Sequence, residues 1–259
     1  MPVSDLHLDD YTIRQDFWLD FDPEAVLVIA GDAGNALSGI DYIKNILCKY
    51  FRAVIYVAGN HEWYSNLNRQ FRLNVYSLCK EAINNVNYSK VISNSPLMRI
   101  KKHSEMVDNL YFLDNEKIEI DGFSIYGGSL WFPIHTYSKE LLSDFELLMN
   151  DPKYINYKII EEQYNEFVKN FPEQVDLVVS HHLPNLEAFA LEENRASKYA
   201  PFYHASLPTK LISKTRYWVA GHQHDAIEKL IAGNVRFICN PKGVRPIAPG
   251  LLIDKVYRL

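Results

Sequence analysis

Residues 26–62, VLVIAGDAGNALSGIDYIKNILCKYFRAVIYVAGNHE, decide the fold of this chain. Residues 26–30 and 54–58 are short runs rich in β-branched side chains, and each run stops at a glycine, as buried strands often do. Between them, apolar side chains recur every three or four positions, which predicts a helix packed on the sheet. These apolar positions are Leu37, Ile40, Ile43, Leu47 and Tyr50. Strand, helix and strand in this order predict a βαβ unit.

The rest of the chain continues this alternation of strands and helices. Helices are predicted over residues 67–83 and 139–171. Residues 110–131 contain three short runs, LYFL, KIEI and FSIYGGSLW, which predict antiparallel strands with Asp121 and Gly122 in a hairpin turn. Further strands are predicted at residues 176–180, 217–220, 235–239 and 251–256. The expected fold class is therefore α/β.

The chain is expected to form a single domain over residues 1–259. Its length allows one large domain or two small ones, but the sequence contains no internal repeat and no Pro/Gly/Ser-rich linker. Residues 132–172 are expected to form a helical insertion or cap within this domain.

The composition excludes several classes of protein. With 47% hydrophobic and 23% charged residues, the chain has the balance of a globular protein. A formal net charge of −5 supplies no basic surface for nonspecific binding to nucleic acid, so nucleic acid is not expected as a partner. The three cysteines, Cys48, Cys79 and Cys239, form no CxxC motif, and no apolar run is long enough for a membrane helix. We expect a cytoplasmic protein without a membrane span.

Five polar clusters stand at the N-terminus or directly after strand-like runs. They are Ser4-Asp5-Leu6-His7, Gly31-Asp32, Gly59-Asn60-His61-Glu62, Ser180-His181-His182 and Gly221-His222-Gln223-His224. Because the carboxyl ends of strands lie along one rim of an α/β sheet, these clusters are expected to converge on one crevice. Where a glycine follows the strand, it permits a tight turn that lets the next side chain point into the crevice.

The clusters offer carboxylate, imidazole and amide donors, which suit Mn, Fe or Zn ions. The candidate ligands are Asp5, His7, Asp32, Asn60, His181, His222 and His224. These side chains are too many for one tetrahedral zinc, whereas two ions that share a bridging ligand would use them all. Alternate residues of an extended segment point the same way, so His222 and His224 could serve adjacent ions.

The motifs DLH, GD, GNHE, HH-x-P and GHQH, in this order, resemble those of the calcineurin-like metallophosphoesterases. The chain is most similar to bacterial and phage members that also contain a G-x-x-LW segment, here residues 127–131, and a CNPKG segment, here residues 239–243. The resemblance extends from Asp5 to Gly243 and therefore covers most of the chain.

This resemblance implies a four-layer α/β/β/α sandwich with mixed sheets and a two-metal site at its rim. By the same resemblance, the first ion would take Asp5, His7, Asp32 and His224, and the second would take Asp32, Asn60, His181 and His222. Asp32 would bridge the two ions. His61 would stand beside the substrate as an acid or oxyanion donor, oriented by Glu62. Manganese is the expected metal, with iron and zinc as alternatives.

Such a site would suit a small phosphate ester. Only Asp5 and Asp32 among the proposed ligands are anionic, so two divalent ions would leave the crevice positive inside an acidic protein. Two ions about 3.5 to 4 Å apart would hold the phosphate oxygens and acidify a bridging water, and the resulting hydroxide would attack phosphorus in line. His61 would then protonate the leaving oxygen or stabilise its charge. Hydrolysis of a phosphomonoester or phosphodiester is the expected activity.

Two other functions stay open from the sequence. Some relatives on the same fold are noncatalytic protein-interaction modules, but the presence of every expected ligand together with His61 favours an enzyme. A nuclease is less favoured, because the charge balance is acidic and the sequence has no basic stripe.

Several polar residues near the motifs have more than one interpretation. Asp32 or Asn35 would cap the helix that follows the run of residues 26–30, and Asn35 is better placed for this role. The family often has an aspartate where this chain has Asn35. We therefore expect the properties of the metal site to change without loss of the metal. His182 is expected next to the ligands or in solvent. Three isolated histidines are expected to be partly exposed polar residues: His103, His135 and His204.

Aromatic and basic side chains give weaker indications of where the substrate binds. The aromatic residues Tyr199, Phe202 and Tyr203 could line the substrate entrance, whereas Trp131 and Phe132 are expected to pack in the core. Four basic residues are candidate phosphate contacts by charge and position: Arg195, Lys198, Lys242 and Arg245.

Overall fold

Two stacked β-sheets form the centre of the computed structural model, which describes residues 1–9, 17–18, 21–35, 37–64 and 95–242. The strands are β1 Pro2–Val3, β2 Val26–Ala30, β3 Ala53–Val57, β4 Leu110–Phe112, β5 Glu116–Ile120, β6 Phe123–Gly128, β7 Val175–Ser180, β8 Thr215–Ala220, β9 Ile227–Ile231 and β10 Val235–Cys239. The α-helices are α1 Ser38–Asn45, α2 Pro96–Ser104, α3 Lys139–Leu148, α4 Tyr157–Lys169, α5 Glu192–Arg195 and α6 Thr209–Ile212. Short 3₁₀ turns lie at Leu47–Lys49, His61–Trp63, Ile134–Thr136, Asp151–Lys153, Leu186–Ala188 and Ala200–Phe202. None of the helices in the described ranges has the length and hydropathy of a membrane span.

The smaller sheet is parallel throughout its described strands, in the order β1-β2-β3-β4. Its β2, α1 and β3 form the predicted βαβ unit, with Ile40 and Ile43 of α1 buried. The helix ends at Asn45, and the remainder of the predicted helical stretch forms the turn Leu47–Lys49. The helix predicted at residues 67–83 and the strand predicted at residues 251–256 lie outside the described residues.

The prediction that the run beginning at residue 110 forms an antiparallel strand is wrong. β4 pairs in parallel with β3 at the edge of the smaller sheet. Leu110 and Phe112 are buried there among the side chains of α1 and α2, so their burial favours this pairing. The predicted hairpin between β5 and β6 is confirmed, since Asp121 and Gly122 have φ values of 52° and 78°, as a type I′ turn requires.

The larger sheet is mixed, in the order β5-β6-β7-β8-β10-β9. Strands β6, β7, β8 and β10 run parallel, and β5 and β9 pair antiparallel at the two edges. β10 has the predicted bounds, whereas β7 and β8 begin slightly before their predicted starts. Strand β9 is absent from the predicted elements, because its sequence IEKLI carries two charged residues in five positions.

Three buried clusters of hydrophobic side chains define four layers. The cluster between the sheets joins Ile55 of the smaller sheet to Val179 of the larger one. A second cluster, with Ile40 and Ile100, packs α1 and α2 on the outside of the smaller sheet. A third, with Phe167, covers the outside of the larger sheet. The four-layer α/β/β/α sandwich is therefore confirmed, with a mixed larger sheet and a smaller sheet whose described strands are parallel.

Residues 132–172 contain α3 and α4, as the helical pattern predicts. Phe145 of α3 and Ile160 of α4 belong to the cluster beside the smaller sheet, whereas Phe167 of α4 packs with the larger sheet. The segment therefore joins the cores of both outer layers. A single domain with this segment as an insertion or cap stays a prediction.

Candidate metal centre

The candidate ligands lie in the turns after five strands, at one rim of the sandwich. Asp5 and His7 follow β1, Asp32 follows β2, Asn60 follows β3, His181 follows β7, and His222 and His224 follow β8. His61 and Glu62 begin the 3₁₀ turn after β3. Both sheets therefore supply side chains to the same rim.

Short contacts link these side chains across the sheets. His224 Nε2 lies 3.2 Å from Asp5 Oδ1 and 3.3 Å from His7 Nε2. His181 Nε2 lies 3.4 Å from Asp32 Oδ2 and 3.0 Å from Asn60 Oδ1. The rings of His181 and His222 lie 4.9 Å apart, and those of His7 and His61 lie 4.5 Å apart. The structure therefore brings the seven candidate ligands and His61 into one crevice.

Three overlapping groups have their ligand atoms within 4.8 Å of one another: Asp5, His7 and His224; His7, Asp32 and His61; and Asp32, His181 and His222. The first and third groups fall within the two ligand sets that the motifs imply. Asp32 belongs to the second and third groups, and His7 to the first and second. The second group also contains His61, which the motifs place beside the substrate.

One buried nitrogen indicates that a cation fits this crevice. His222 is buried, and within the described residues its Nε2 has no hydrogen-bond partner. A buried polar atom without a partner is uncommon, and a bound ion would satisfy this nitrogen. The donors in the crevice are imidazole nitrogens, carboxylate oxygens and an amide oxygen, which suit divalent transition ions. The residues present therefore fit the metal ions that the motifs imply.

The backbone of the ligand turns is strained. Five residues of the crevice have φ values in the left-handed region: Asp5 (51°), His7 (45°), Asp32 (52°), His222 (69°) and His224 (21°). For residues with a Cβ atom this conformation costs on the order of 1–3 kcal/mol, and it clusters at functional sites. Strained residues whose side chains meet in one crevice are typical of a functional site.

The glycines beside these turns make room for the ligands. A Cβ atom on Gly59 would lie 2.1 Å from Asp32 Oδ1, and one on Gly31 would lie 2.4 Å from His181 Nδ1. Gly31 also has a φ of 82°. The carboxylate and the imidazole therefore pack directly over the glycine backbone, a requirement beyond the tight turn predicted from the sequence.

The two buried aspartates of the crevice are held in their charged form. Burial alone would raise the pKa of Asp32, but the charges of His181 and His61 hold it well below its usual value. Burial alone would lower the pKa of His181, but the Asp32 carboxylate raises it to about 10. Burial likewise opposes ionisation of Asp5, but the hydrogen bond and charge of His224 lower its pKa. Both aspartates are therefore anions that can bind a cation.

Glu62 does not orient the His61 ring, and this expectation is wrong. The buried Glu62 carboxylate accepts hydrogen bonds from the backbone N–H groups of Asp32, Ala33 and Gly59 at 3.1, 2.8 and 2.6 Å. It also accepts one from the Tyr56 hydroxyl at 2.6 Å. Burial raises the pKa of Glu62, and the Asp32 charge acts in the same direction. Glu62 therefore ties the turn after β2 to the turn after β3.

Asn35 is the residue that contacts the His61 ring. Its Oδ1 lies 3.1 Å from His61 Nδ1, and its Nδ2 donates to Asp9 Oδ2 at 2.5 Å. The prediction that Asn35 or Asp32 caps α1 is wrong, because no side chain caps that helix and its N-cap residue is Leu37. The spacing in the sequence predicts a cap, but both ends of the Asn35 amide already contact other side chains, those of His61 and Asp9.

Asp151 is a residue near the crevice that the motifs do not contain. Asn60 Nδ2 donates a hydrogen bond to Asp151 Oδ1 at 3.0 Å, and the Tyr64 hydroxyl donates to the same oxygen at 2.8 Å. Asp151 and Asn60 are 91 positions apart in the chain, and no periodicity or motif links them. Only the folded structure reveals this contact.

The other histidines differ in their surroundings. His182 is fully buried and packs on His222 with ring centres 4.5 Å apart, so it lies next to a candidate ligand and not in solvent. The expectation that His204 is partly exposed is wrong: it is buried, its Nδ1 accepts from the Ser206 N–H, and burial lowers its pKa to about 4. His103 is half-buried and His135 is exposed.

A cavity of about 250 Å³ opens beside His222 and His224. Tyr199 and Tyr203 line it, and the Tyr203 ring packs on His222 at 4.2 Å. Phe202 does not line it, because this side chain is fully buried in the core. The other aromatic residues predicted for the core are buried as expected: Trp131 and Phe132.

The basic residues singled out as phosphate contacts have other neighbours. Lys242 is buried and donates to the backbone oxygen of Leu6 at 2.9 Å, so its ammonium group supports the turn after β1. Arg195 Nη1 lies 3.9 Å from a Glu192 oxygen, and Lys198 lies over the Tyr199 ring. Arg245 lies outside the described residues.

Comparisons with known proteins agree with the motifs. A family model described as calcineurin-like phosphoesterase matches residues 3–226. The uncharacterized protein L509 of Acanthamoeba polyphaga mimivirus is 25% identical over 258 residues, covering 86% of this chain and 83% of that protein. The crystal structure of phosphopantetheinyl hydrolase (PptH) from Mycobacterium tuberculosis has the same fold, with a TM-score of 0.67 and 14% identity, covering 99% of this chain and 92% of that one. The chain therefore belongs to the metal-dependent calcineurin-like phosphoesterase family.

Proposed function

We propose that this chain hydrolyses a small phosphomonoester or phosphodiester with two divalent metal ions. The observation that carries the proposal is the position of Asp32, whose carboxylate belongs to two neighbouring groups of metal-binding atoms. One ion would be held by Asp5, His7, Asp32 and His224, and the other by Asp32, Asn60, His181 and His222. When bound, the two ions would neutralise the phosphate oxygens and activate the water that attacks phosphorus.

His61 would assist departure of the leaving group. Asn35 Nδ2 faces the Asp9 carboxylate, so the oxygen of its amide faces His61 Nδ1, which must carry a hydrogen. The other ring nitrogen, Nε2, then faces the crevice beside Asp32. The His61 side chain is 26% exposed and can reach a substrate oxygen, and its imidazolium form, which carries a hydrogen on both ring nitrogens, would supply a proton or a hydrogen bond from Nε2.

The open cavity beside His222 and His224 would receive the leaving group. Its volume of about 250 Å³ is enough for a small organic group. The rings of Tyr199 and Tyr203 would contact the apolar part of that group. This arrangement favours a small-molecule ester over a large polymer as the substrate.

The donors and the thiols support the proposed metal and compartment. Carboxylate and amide oxygens in the ligand set favour manganese, with iron and zinc as alternatives that imidazole ligands accept. Cys48 and Cys239 are free thiols, and burial raises the pKa of Cys48 to about 11. Free thiols are typical of a reducing compartment, so we assign the protein to the cytoplasm.

Hydrolysis of p-nitrophenyl phosphate and bis-p-nitrophenyl phosphate tests the proposal. The metal content of the purified protein is measured first, and the protein is then supplied with Mn²⁺, Fe²⁺ or Zn²⁺. We expect two ions per chain and turnover of at least one ester, and the faster ester distinguishes a monoesterase from a diesterase. A protein that binds no metal and hydrolyses neither ester would be a noncatalytic interaction module. Cleavage of DNA without turnover of either ester would instead indicate a nuclease.

A further inference from the structure

The amide of Asn60 is held by a buried carboxylate from a distant part of the chain. Asn60 Nδ2 donates to Asp151 Oδ1 at 3.0 Å and to the Tyr64 hydroxyl at 2.9 Å. The Tyr64 hydroxyl donates in turn to Asp151 Oδ1 at 2.8 Å. Asp151 is 1% exposed and Asn60 is 5% exposed, so water does not compete with these hydrogen bonds.

This contact determines which end of the amide faces the crevice. A carboxylate oxygen accepts hydrogen bonds, so Asp151 must face the NH₂ end of the Asn60 amide. The amide oxygen then faces the crevice, where Asn60 Oδ1 lies 3.0 Å from His181 Nε2. A flipped amide would place two oxygens against each other and turn toward the ion a nitrogen whose hydrogens prevent it from binding a metal.

The turn that carries Asp151 is itself firmly placed. It lies between α3 and α4, and the backbone N–H groups of Tyr154 and Ile155 both donate to the Asp151 carbonyl oxygen at 2.9 Å. The Tyr154 ring stacks on Tyr64 with centres 4.4 Å apart, and Ile155 is buried in the core. The position of the carboxylate is therefore set by the packing of the segment that contains α3 and α4.

We propose that Asp151 is a positioning residue of the metal centre, which holds the Asn60 oxygen toward the second ion. The inference rests on the proposed function, in which Asn60 is a ligand of that ion. Residues that orient metal ligands commonly change metal affinity 10–100-fold when they are replaced. The segment of residues 132–172 would thus contribute to metal binding without supplying a ligand of its own.

The variant Asp151→Leu tests this role, because leucine has a similar size but accepts no hydrogen bond. Calorimetric titration with Mn²⁺ should show wild-type affinity for the first ion and roughly 10–100-fold weaker binding of the second. Asp151→Asn should restore the second ion, since its amide oxygen can accept the same two hydrogen bonds. Tyr64→Phe removes the hydroxyl that bonds to both Asp151 and Asn60 but keeps their direct hydrogen bond, so it should bind the second ion more tightly than Asp151→Leu does.

Two ions bound with wild-type affinity by folded Asp151→Leu would overturn the inference, and so would equal weakening of both ions. If Asp151→Leu does not fold, Asp151→Ala serves in its place, because water that enters there can face either end of the amide. Wild-type protein that binds fewer than two ions, or Asn60→Ala that still binds two, would contradict the proposed function itself. The positioning role alone would be contradicted if wild type binds two ions, Asn60→Ala binds one and Asp151→Leu still binds two.

Discussion

Asp32 and His61 lie side by side in the crevice, with Asp32 Oδ2 3.9 Å from His61 Nε2, but we expect different roles for them. Asp32→Ala removes the acid shared between the two proposed ion positions, so this variant should lose metal. His61→Ala should keep both ions and lower kcat by about 100-fold or more, the usual contribution of a well-placed acid. Elemental analysis and kcat on the same preparations check both results. A metal-free His61→Ala protein would contradict this division of roles.

Gly59 is a second residue on which the position of Asp32 depends. A Cβ atom there would lie 2.1 Å from Asp32 Oδ1 and 2.7 Å from its backbone nitrogen, so Gly59→Ala must displace the carboxylate. We expect at least about a 100-fold loss of turnover, since a displacement near 1 Å can have this effect. Gly122→Ala is the control: Gly122 has a φ of 78° but an open surface position, so strain arises without change at the crevice. Equal turnover of the two variants would refute the expectation.

Asp114 provides a pH-dependent test of stability away from the crevice. Burial, with the nearby Glu116 charge, raises the pKa of Asp114 from 3.8 to about 6. The folded protein therefore takes up a proton that the unfolded chain releases, so the buried charge lowers stability above pH 6 and not below about pH 4. Asp114→Asn should raise the free energy of unfolding by up to about 3 kcal/mol at pH 8 and by about half as much at pH 5.

Urea unfolding in the presence of EDTA measures this difference without a contribution from bound metal. Glu119→Gln removes an equal charge from an exposed position of β5 and should leave the free energy of unfolding nearly unchanged at both pH values. An Asp114→Asn protein no more stable than wild type at pH 8 would show that its carboxylate is better solvated than its burial suggests.

At the scale of residues, the sequence identifies the candidate ligands but not the groups that hold them. Asp32 or His181 can be recognised because each closely follows a predicted strand. Asp151 and Asn35 contact Asn60 and His61 through hydrogen bonds that depend on how distant turns pack. Spacing along the chain carries no information about such contacts, so these two residues could not be predicted.

At the scale of elements, Glu62 joins the ends of β2 and β3. Its carboxylate accepts three backbone N–H groups from the two turns, in addition to the Tyr56 hydroxyl. Glu62→Gln would point an NH₂ group at backbone donors and leave at least one of them unsatisfied. We expect a loss of about 2–3 kcal/mol in the free energy of unfolding.

Tyr56→Phe separates this effect from the loss of an ordinary hydrogen bond. It removes only the hydroxyl that donates to Glu62 at 2.6 Å, and should lower the free energy of unfolding by about 1 kcal/mol. Urea unfolding of both variants at neutral pH provides the comparison. If Glu62→Gln is as stable as Tyr56→Phe, the two turns do not depend on the carboxylate.

The strands show how much of the sheet structure local sequence patterns can predict. β2 and β10 have their predicted bounds because a run of buried apolar residues marks each one. The partner predicted for β4 is wrong, since its three residues reveal burial but not which sheet edge is open. β9 escapes prediction because the edge of the sheet tolerates Glu228 and Lys229, which weaken the apolar pattern.

At the scale of the whole molecule, the crevice lies where the two sheets meet. The smaller sheet and its turns supply Asp5, His7, Asp32 and Asn60, and the larger sheet supplies His181, His222 and His224. The candidate ligands come from opposite ends of the chain, as the 217 positions between His7 and His224 illustrate. A bound ion would therefore connect elements that are far apart in sequence, and the unfolded chain would lack the assembled site.

Metal binding should consequently stabilise the fold as a whole. At a free Mn²⁺ concentration 100 times the dissociation constant, one site contributes about 2.7 kcal/mol, which corresponds to a rise in Tm of about 5–10 °C for a chain of this size. EDTA should reverse the rise, His61→Ala should keep it, and Asp32→Ala should lose most of it. Differential scanning calorimetry of the three proteins with and without Mn²⁺ checks these results. An equal rise for Asp32→Ala would mean that manganese binds elsewhere, because no ion at the junction of the sheets could be indifferent to that carboxylate.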